Sequence, residues 1–290
     1  MKNFLPVLAV VLIILVLWYL GVVWLNAAWV QDQAARAGTG PVPFGDLVRQ
    51  TMSLDRPVLP APHQVAAELW KGIAGQSVTS KRSLVWHGFL TLKTTMWGFA
   101  LGIVVGTVMA IAIVQSRVME LSVMPWAIIS QTIPIVALAP MIIVLSDKVG
   151  IEGKLIPKAI IAAYLSYFPV LVSMVKGLRS PDAMQLDLLK TYSASQAQVF
   201  WKLRFPASLP YFFASLKVAV AAALVGTIVG ELPSGATEGL GARMLVGSQF
   251  GEPMIMWAAL FATAILAGLL IVLVGGVERL MGRRLGKAPA

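Results

Sequence analysis

The sequence predicts an all-α integral membrane protein with six transmembrane helices and both termini in the cytoplasm. Of its 290 residues, 58% are hydrophobic and only 12% charged, whereas a soluble domain carries about a quarter charged residues. Six stretches approach the ~20 mostly apolar residues that a helix needs to cross the hydrocarbon core. Basic residues cluster between Lys176 and Lys217 and in the tail, which sets the orientation. The 31–86 connection also carries six Lys/Arg, but long loops report orientation weakly.

Composition also excludes several function classes. The formal charge of +10 is not concentrated in a Lys/Arg-rich run with interleaved aromatics, so nucleic acid is not an expected partner and basic loops beside lipid are. Without cysteine there are no disulfides, iron–sulfur clusters or thiolate chemistry. His63 and His87 lack a carboxylate at ligand spacing, so no metal site is expected. His87, just before an apolar run, is an interfacial or packing residue.

The first span, LPVLAVVLIILVLWYLGVVWL from Leu5, has no charge between Lys2 and Asp32. That exceeds the ~7–15-residue apolar core of a signal peptide, so residues 1–30 are assigned to a retained helix. Residues 31–86 form an extracytoplasmic connection, broken by Gly38, Gly40, Pro41 and Pro43. Within it, LPAPHQVAAELWKGIAG predicts a short amphipathic helix with Val65, Leu69 and Trp70 on one face. The main transmembrane domain is placed at 87–284 and a cytoplasmic tail at 285–290.

The second span, about Phe89 to Val114, carries Gly98, Gly102, Gly106 and Ala110 on one stripe, where another helix backbone can approach closely. A third, about 121–146, combines Pro125, Pro134 and Pro140 with Ser130, Gln131 and Thr132. Prolines free backbone carbonyls that protein or a water-lined cavity must satisfy. The fourth span, about 157–175, holds Tyr164, Ser166, Tyr167 and Pro169. In the fifth, about 209–230 and ending at Glu231, Lys217 can snorkel to the interface. The sixth, about 254–277, precedes ERLMGRRLGK. The basic residues between Lys176 and Lys217, and Arg279, Arg283, Arg284 and Lys287 in the tail, place both segments in the cytoplasm.

Between the fourth and fifth spans lies PDAMQLDLLKTYSASQAQVFWKLRFPASLP. Leu186, Leu189 and Lys190 follow helical spacing, as do Ala197, Phe200, Trp201 and Arg204 after the break Ser193-Ala194-Ser195. A serine there can cap the second helix. Two short amphipathic helices, ended by Phe205-Pro206, make either a docking element or a membrane-surface helix pair.

This spacing resembles the signature of binding-protein-dependent ABC transporter permeases: Glu-Ala-Ala, three residues, Gly, nine residues, Ile-x-Leu-Pro. The matching positions are Asp187-Leu188-Leu189, Ser193, and Leu203-Arg204-Phe205-Pro206. Only the acid of the opening triad is kept. The turn glycine is Ser193, and a serine disfavours φ > 0. LPAPHQV, TIPIVALAP, FPASLP and GELPSGATEGLG look like the nitrate/sulfonate/taurine branch, so the resemblance covers about residues 58–284.

The resemblance implies a type I ABC importer permease bundle in the bacterial inner membrane. Its expected partners are membrane lipid, a dimer of ABC ATPase subunits, a second permease chain (another copy of this one) and an extracytoplasmic solute-binding protein. ATP and Mg belong to the ATPase. This chain lacks GxxxxGK[ST], and GIEGKL at Gly150 has the wrong spacing, so it is a transport subunit and not an enzyme. The loop would form coupling helices that use Asp187, Leu188, Leu189, Ser193, Ala194, Ser195, Gln196, Phe200, Trp201, Lys202, Leu203, Arg204, Phe205 and Pro206. In that scheme Phe200, Trp201 and Leu203 supply contact, Lys202 and Arg204 orient it, and Pro206 stops the helix.

For the translocation path the candidates are Ser130, Gln131 and Thr132 facing Tyr164, Ser166 and Tyr167; interhelical hydrogen bonding is the competing role. Glu231, Glu238, Gly239, Leu240 and Gly241 are candidates for an outer gate or a docking site for the binding protein. An ATPase-independent secondary transporter or channel is the alternative. It predicts intramembrane acids or an inverted repeat, and neither is visible. Sulfonates, taurine, nitrate and pyrimidine-type nutrients are the solute classes, with an organic nutrient favoured.

Overall fold

The computed structural model describes residues 4–151, 153–233 and 238–284. Two compact units divide the chain, residues 1–87 with 242–263 and residues 88–241 with 264–290.

In the first unit, α1 (Phe4–Arg36) overruns the expected 1–30 segment. No Gly or Pro follows Gly21 before Arg36, so nothing ends the helix at the membrane boundary. Its 33 residues make about 50 Å of helix, longer than the ~30 Å hydrocarbon core. The following connection is built against it and includes α2 (Phe44–Thr51), a helix not expected there, and α3 (Pro62–Ile73).

Four side chains of α1 hold this connection, among them Tyr19, whose hydroxyl lies 3.2 Å from His63 Nδ1. Asn26, fully buried, donates to Leu59 O at 2.9 Å and accepts the Val58 N–H at 2.7 Å. Gln31 makes the same reciprocal pairing with Val42, at 3.1 and 3.2 Å. Trp18 donates to Pro60 O at 3.1 Å and packs its ring on Trp257 and Phe261. Irregular backbone packed against a helix is shielded from water and needs such partners. On α3, Val65 is buried but Trp70 is 71% exposed. The two do not share a face as expected, because five residues turn a helix by about 140°. His87 is buried and its Nε2 bonds to Lys81 O.

The second unit is organised around α7 (Leu155–Leu178). On one side lies α4 (Leu84–Gln115), whose glycine stripe meets it. A Cβ at Gly98 would overlap Ala162 Cβ, one at Gly102 would overlap Ser166 Oγ, and one at Gly106 would sit 2.5 Å from Tyr167 O. Ala110 continues the stripe and is fully buried. Against α7 also packs α10 (Phe205–Glu231), where a Cβ at Gly226 would come within 2.7 Å of Ala162 Cα. Small residues are needed because lipid tails are as apolar as side chains, so helix association rests on close contact. Ile113, Leu171, Met174, Leu178 and Val220 fill the space between.

The expected third span is not one helix. It is α5 (Arg117–Ser130) and α6 (Ile135–Lys148), bent by 102°. Pro134 lacks an N–H and restricts Ile133, which stops α5 from continuing. The described residues thus contain five helices long and apolar enough to cross a membrane, or six if the bent pair counts as one. The remaining elements are α8 (Ala183–Thr191), α9 (Gln196–Val199), α11 (Leu240–Gln249) and α12 (Pro253–Arg284). Lys217 of α10 does not merely snorkel: it pairs with Glu278 of α12 at 2.5 Å.

Candidate functional site

The loop after α7 is rooted by charge. Arg179 at its start donates to Glu120 at 3.0 Å, and Glu120 also accepts from Arg117 at 2.7 Å. At the start of α8 the Asp182 N–H donates to Gln185 Oε1 at 3.2 Å. The helix ends in a Schellman turn, with Ser193 N–H on Lys190 O at 2.8 Å and Ala194 N–H on Leu189 O at 3.0 Å. Such a turn puts one residue in the left-handed region, and Ser193 has φ 52°, the only non-glycine with positive φ among the described residues. The expectation that a serine would avoid this backbone is therefore corrected. Two helix-end hydrogen bonds outweigh a Cβ penalty of roughly 1–2 kcal/mol.

Ser195 then caps α9. Its Oγ accepts the Gln198 N–H at 3.3 Å, and its own N–H donates to Gln198 Oε1 at 2.8 Å, a reciprocal capping box.

Pro206 does not stop the helix. Through a π-helical segment, Phe200–Arg204, α9 continues into α10 as one helix of 36 residues from Gln196 to Glu231. The Phe205 N–H reaches back five residues to Phe200 O. In an α-turn the Pro206 ring would crowd the Lys202 carbonyl; the wider π turn gives it room.

Exposure on the loop is uneven. Met184, Leu188 and Tyr192 stand 82, 56 and 76% exposed, four residues apart and hence on one stripe. Trp201 is 64% exposed and stacks edge-on to Phe200 at 5.1 Å. Phe200 itself packs into the unit's own core, so it anchors the loop rather than offering contact, contrary to its expected role. Leu189, Ala194, Leu203, Arg204 and Phe205 are half-buried, while Asp187, Ser195, Gln196, Lys202 and Pro206 are exposed. Met184 and Tyr192 were missed, although their spacing from Leu188 was visible.

Only part of the polar middle section converges. The Ser130 and Tyr167 hydroxyls bond each other, the Tyr164 hydroxyl donates to the Ser130 carbonyl, and Gln131 Nε2 lies 3.4 Å from the Tyr167 hydroxyl. Thr132 turns away, exposed, and donates to Ile129 O; Ser166 is fully buried under Gly102. These are hydrogen bonds between the bent pair and α7. Beside them opens an apolar hollow of about 410 Å³, walled by Val105, Met109, Trp126 and Tyr167.

At the far end of α10, Glu231 and Leu240 are each 1% exposed, and Gly239 and Gly241 are buried as well. Four of the five residues expected at an outer docking surface are thus inaccessible; Glu238 alone is exposed. The Glu231 carboxylate is held by the Thr91 hydroxyl at 2.9 Å and the Gly241 N–H at 2.8 Å, and Thr91 Oγ1 accepts the Leu240 N–H at 2.9 Å.

Comparison with known proteins agrees with this architecture. Residues 102–287 match the family model described as binding-protein-dependent transport system inner membrane component. A probable ABC transporter permease protein of Haemophilus influenzae is 33% identical over 70% of this chain and 77% of its own length. The formylaminopyrimidine transport permease protein of Halalkalibacterium halodurans is 33% identical over 72 and 78% of the two chains. The riboflavin transport system permease protein of Chloroflexus aurantiacus is 28% identical over 78 and 80%. With five to six apolar spans among its described, helical residues and with these relatives, the chain is a multi-pass protein of the bacterial plasma membrane, and it belongs to the inner-membrane permeases of binding-protein-dependent ABC transporters.

Proposed function

We propose that this chain is the permease of an ATP-driven importer that takes in a small organic nutrient, and that it couples to a separate ATPase through residues 181–206. The observation that carries the reading is the loop: two capped helices present Met184, Leu188, Tyr192 and Trp201 to the outside, and the second is continuous with a transmembrane helix. An apolar stripe on a rigid handle suits a protein partner. Loop and termini then lie in the cytoplasm and the 31–86 connection outside, where a solute-binding protein delivers the solute. ATP and Mg act on the ATPase. The transmembrane domain switches between two packings that the ATPase state biases.

A second copy of the chain completes the path. The break between α5 and α6 leaves Thr132 and Ile133 exposed, and irregular backbone at membrane depth is tolerated against protein or a water-lined cavity but not against lipid. Ser130, Gln131, Tyr164 and Tyr167 are then the polar groups nearest that path. For the solute, the formylaminopyrimidine and riboflavin permeases favour a nitrogen heterocycle over taurine or an aliphatic sulfonate, whose permeases are 27 and 26% identical. Replacing Ser195 and Gln196 together by Glu places charge at the cap of the second helix. In vesicles reconstituted with the ATPase and the binding protein, this double variant loses ATP-dependent uptake. Unchanged uptake would remove the docking assignment.

A further inference from the structure

The coupling reading accounts for one end of the long helix but not for the other. From the Ser195 cap to Glu231 the chain is helical for 36 residues, about 50 Å. Its exposed end carries the loop, and its buried end carries a carboxylate. That carboxylate reaches to two other helices. It accepts the Gly241 N–H, in the first turn of α11, and the Thr91 hydroxyl of α4, while Thr91 accepts the neighbouring Leu240 N–H.

An α-helix leaves its first N–H groups without intrahelical partners, and here a side chain from another helix supplies one. The fit is tight. Gly239 has φ 116°, and a Cβ on it would overlap the Glu231 carboxylate; one on Gly241 would fall 2.7 Å from Ile228 O. One turn earlier, Thr95 donates to Thr227 at 3.0 Å, so α4 and α10 are clamped side by side below the carboxylate. Lys158 of α7 is buried beside Gly230, the residue before Glu231.

We infer that Glu231 is a positioning residue that carries movement of the loop to the first turn of α11, through Thr91 and the Leu240 and Gly241 N–H groups. The inference rests on the proposed coupling role of the loop. A stiff helix transmits displacement only if its far end is fastened, and these hydrogen bonds are the fastening. Transport then depends on the Glu231 and Thr91 contacts even though neither residue touches the ATPase.

The cysteine-free chain permits a direct test. Glu238→Cys places a thiol at an exposed position three residues before Gly241. The complex of this variant with its ATPase, in vesicles, is labelled with a maleimide with and without ATP-Mg. The labelling rate is expected to change by at least about fivefold, the lower end of ordinary coupling between two sites. Adding Thr91→Val or Glu231→Ala brings the change below about twofold while the ATPase remains bound and its hydrolysis remains responsive to the permease. Glu231→Gln, which keeps an acceptor oxygen, retains part of it. Thr91→Val is nearly isosteric and serves where Glu231→Ala fails to fold. A nucleotide response that survives in both variants, or none in the Glu238→Cys parent with the ATPase bound, overturns the inference alone. Failure of the unsubstituted chain to bind the ATPase overturns the coupling reading and this inference with it.

Discussion

Ser193 sits at φ 52° and passes its backbone N–H to Lys190 O at 2.8 Å, so a residue with a Cβ closes a turn that normally employs glycine. The left-handed region costs a non-glycine residue roughly 1–2 kcal/mol. Ser193→Gly is expected to stabilise the loop by about 1 kcal/mol, less the entropy that glycine loses on folding. Slower proteolysis at the exposed Lys190 measures the effect; faster cleavage would show that the serine is not strained.

Asn26 and Leu59 make a second such test. The buried Asn26 amide satisfies backbone groups of Val58 and Leu59. Asn26→Leu keeps the volume but leaves those groups without partners, at a cost of about 2 kcal/mol or more. The nearby Asp55 is exposed, so a protease that cuts before aspartate should cleave there faster in the variant while the helical circular dichroism holds.

Gly102 and Gly268 both lie in long apolar helices, yet they differ in surroundings. A Cβ at Gly102 would overlap Ser166 Oγ, whereas one at Gly268 meets nothing within 4 Å. Gly102→Leu is expected to destabilise by about 3 kcal/mol or more through overpacking. By contrast, Gly268→Ala should be neutral or stabilising by up to ~1 kcal/mol, from helix propensity. Thermal stability in detergent, followed by size-exclusion fluorescence, separates the two.

Lys217 and Glu278 join α10 to α12 at 2.5 Å while keeping 41 and 32% side-chain exposure. Partial exposure screens the pair, so its coupling energy should be about 1 kcal/mol. A double-mutant cycle with Lys217→Ala and Glu278→Ala reads it as the departure from additivity in thermal stability. Additive losses would mean that the two side chains act independently.

Much of this was legible in the residues themselves. Runs of apolar side chains marked the spans, because a membrane helix must be apolar over its whole length. The stripe from Gly98 to Ala110 announced a close-packed face, and the Ser195 cap was visible as a break in helical spacing. Such features are local, and local chemistry determines them. Helix α2 escaped although Phe44, Leu47 and Val48 keep helical spacing, because its eight residues follow the breakers Pro41 and Pro43 and read as loop. The reach of α1 to Arg36 escaped because its polar last turns look like the connection beyond a span.

What only tertiary structure decided depends on partners far apart in the chain. Thr91 and Glu231 are 140 positions apart, so no pattern in GELPSGATEGLG says that its acid is buried instead of facing a binding protein. Pro206 similarly looks like a stop signal in one dimension; the π turn from Phe200 to Arg204 lets the helix run on, and packing of Phe200 in the core holds that turn in place. Composition and spacing by themselves determined the class, the family and the position of the loop. Folding decided which of its residues face outward and what its helix is fastened to, because burial and hydrogen bonding are settled by contacts across the fold.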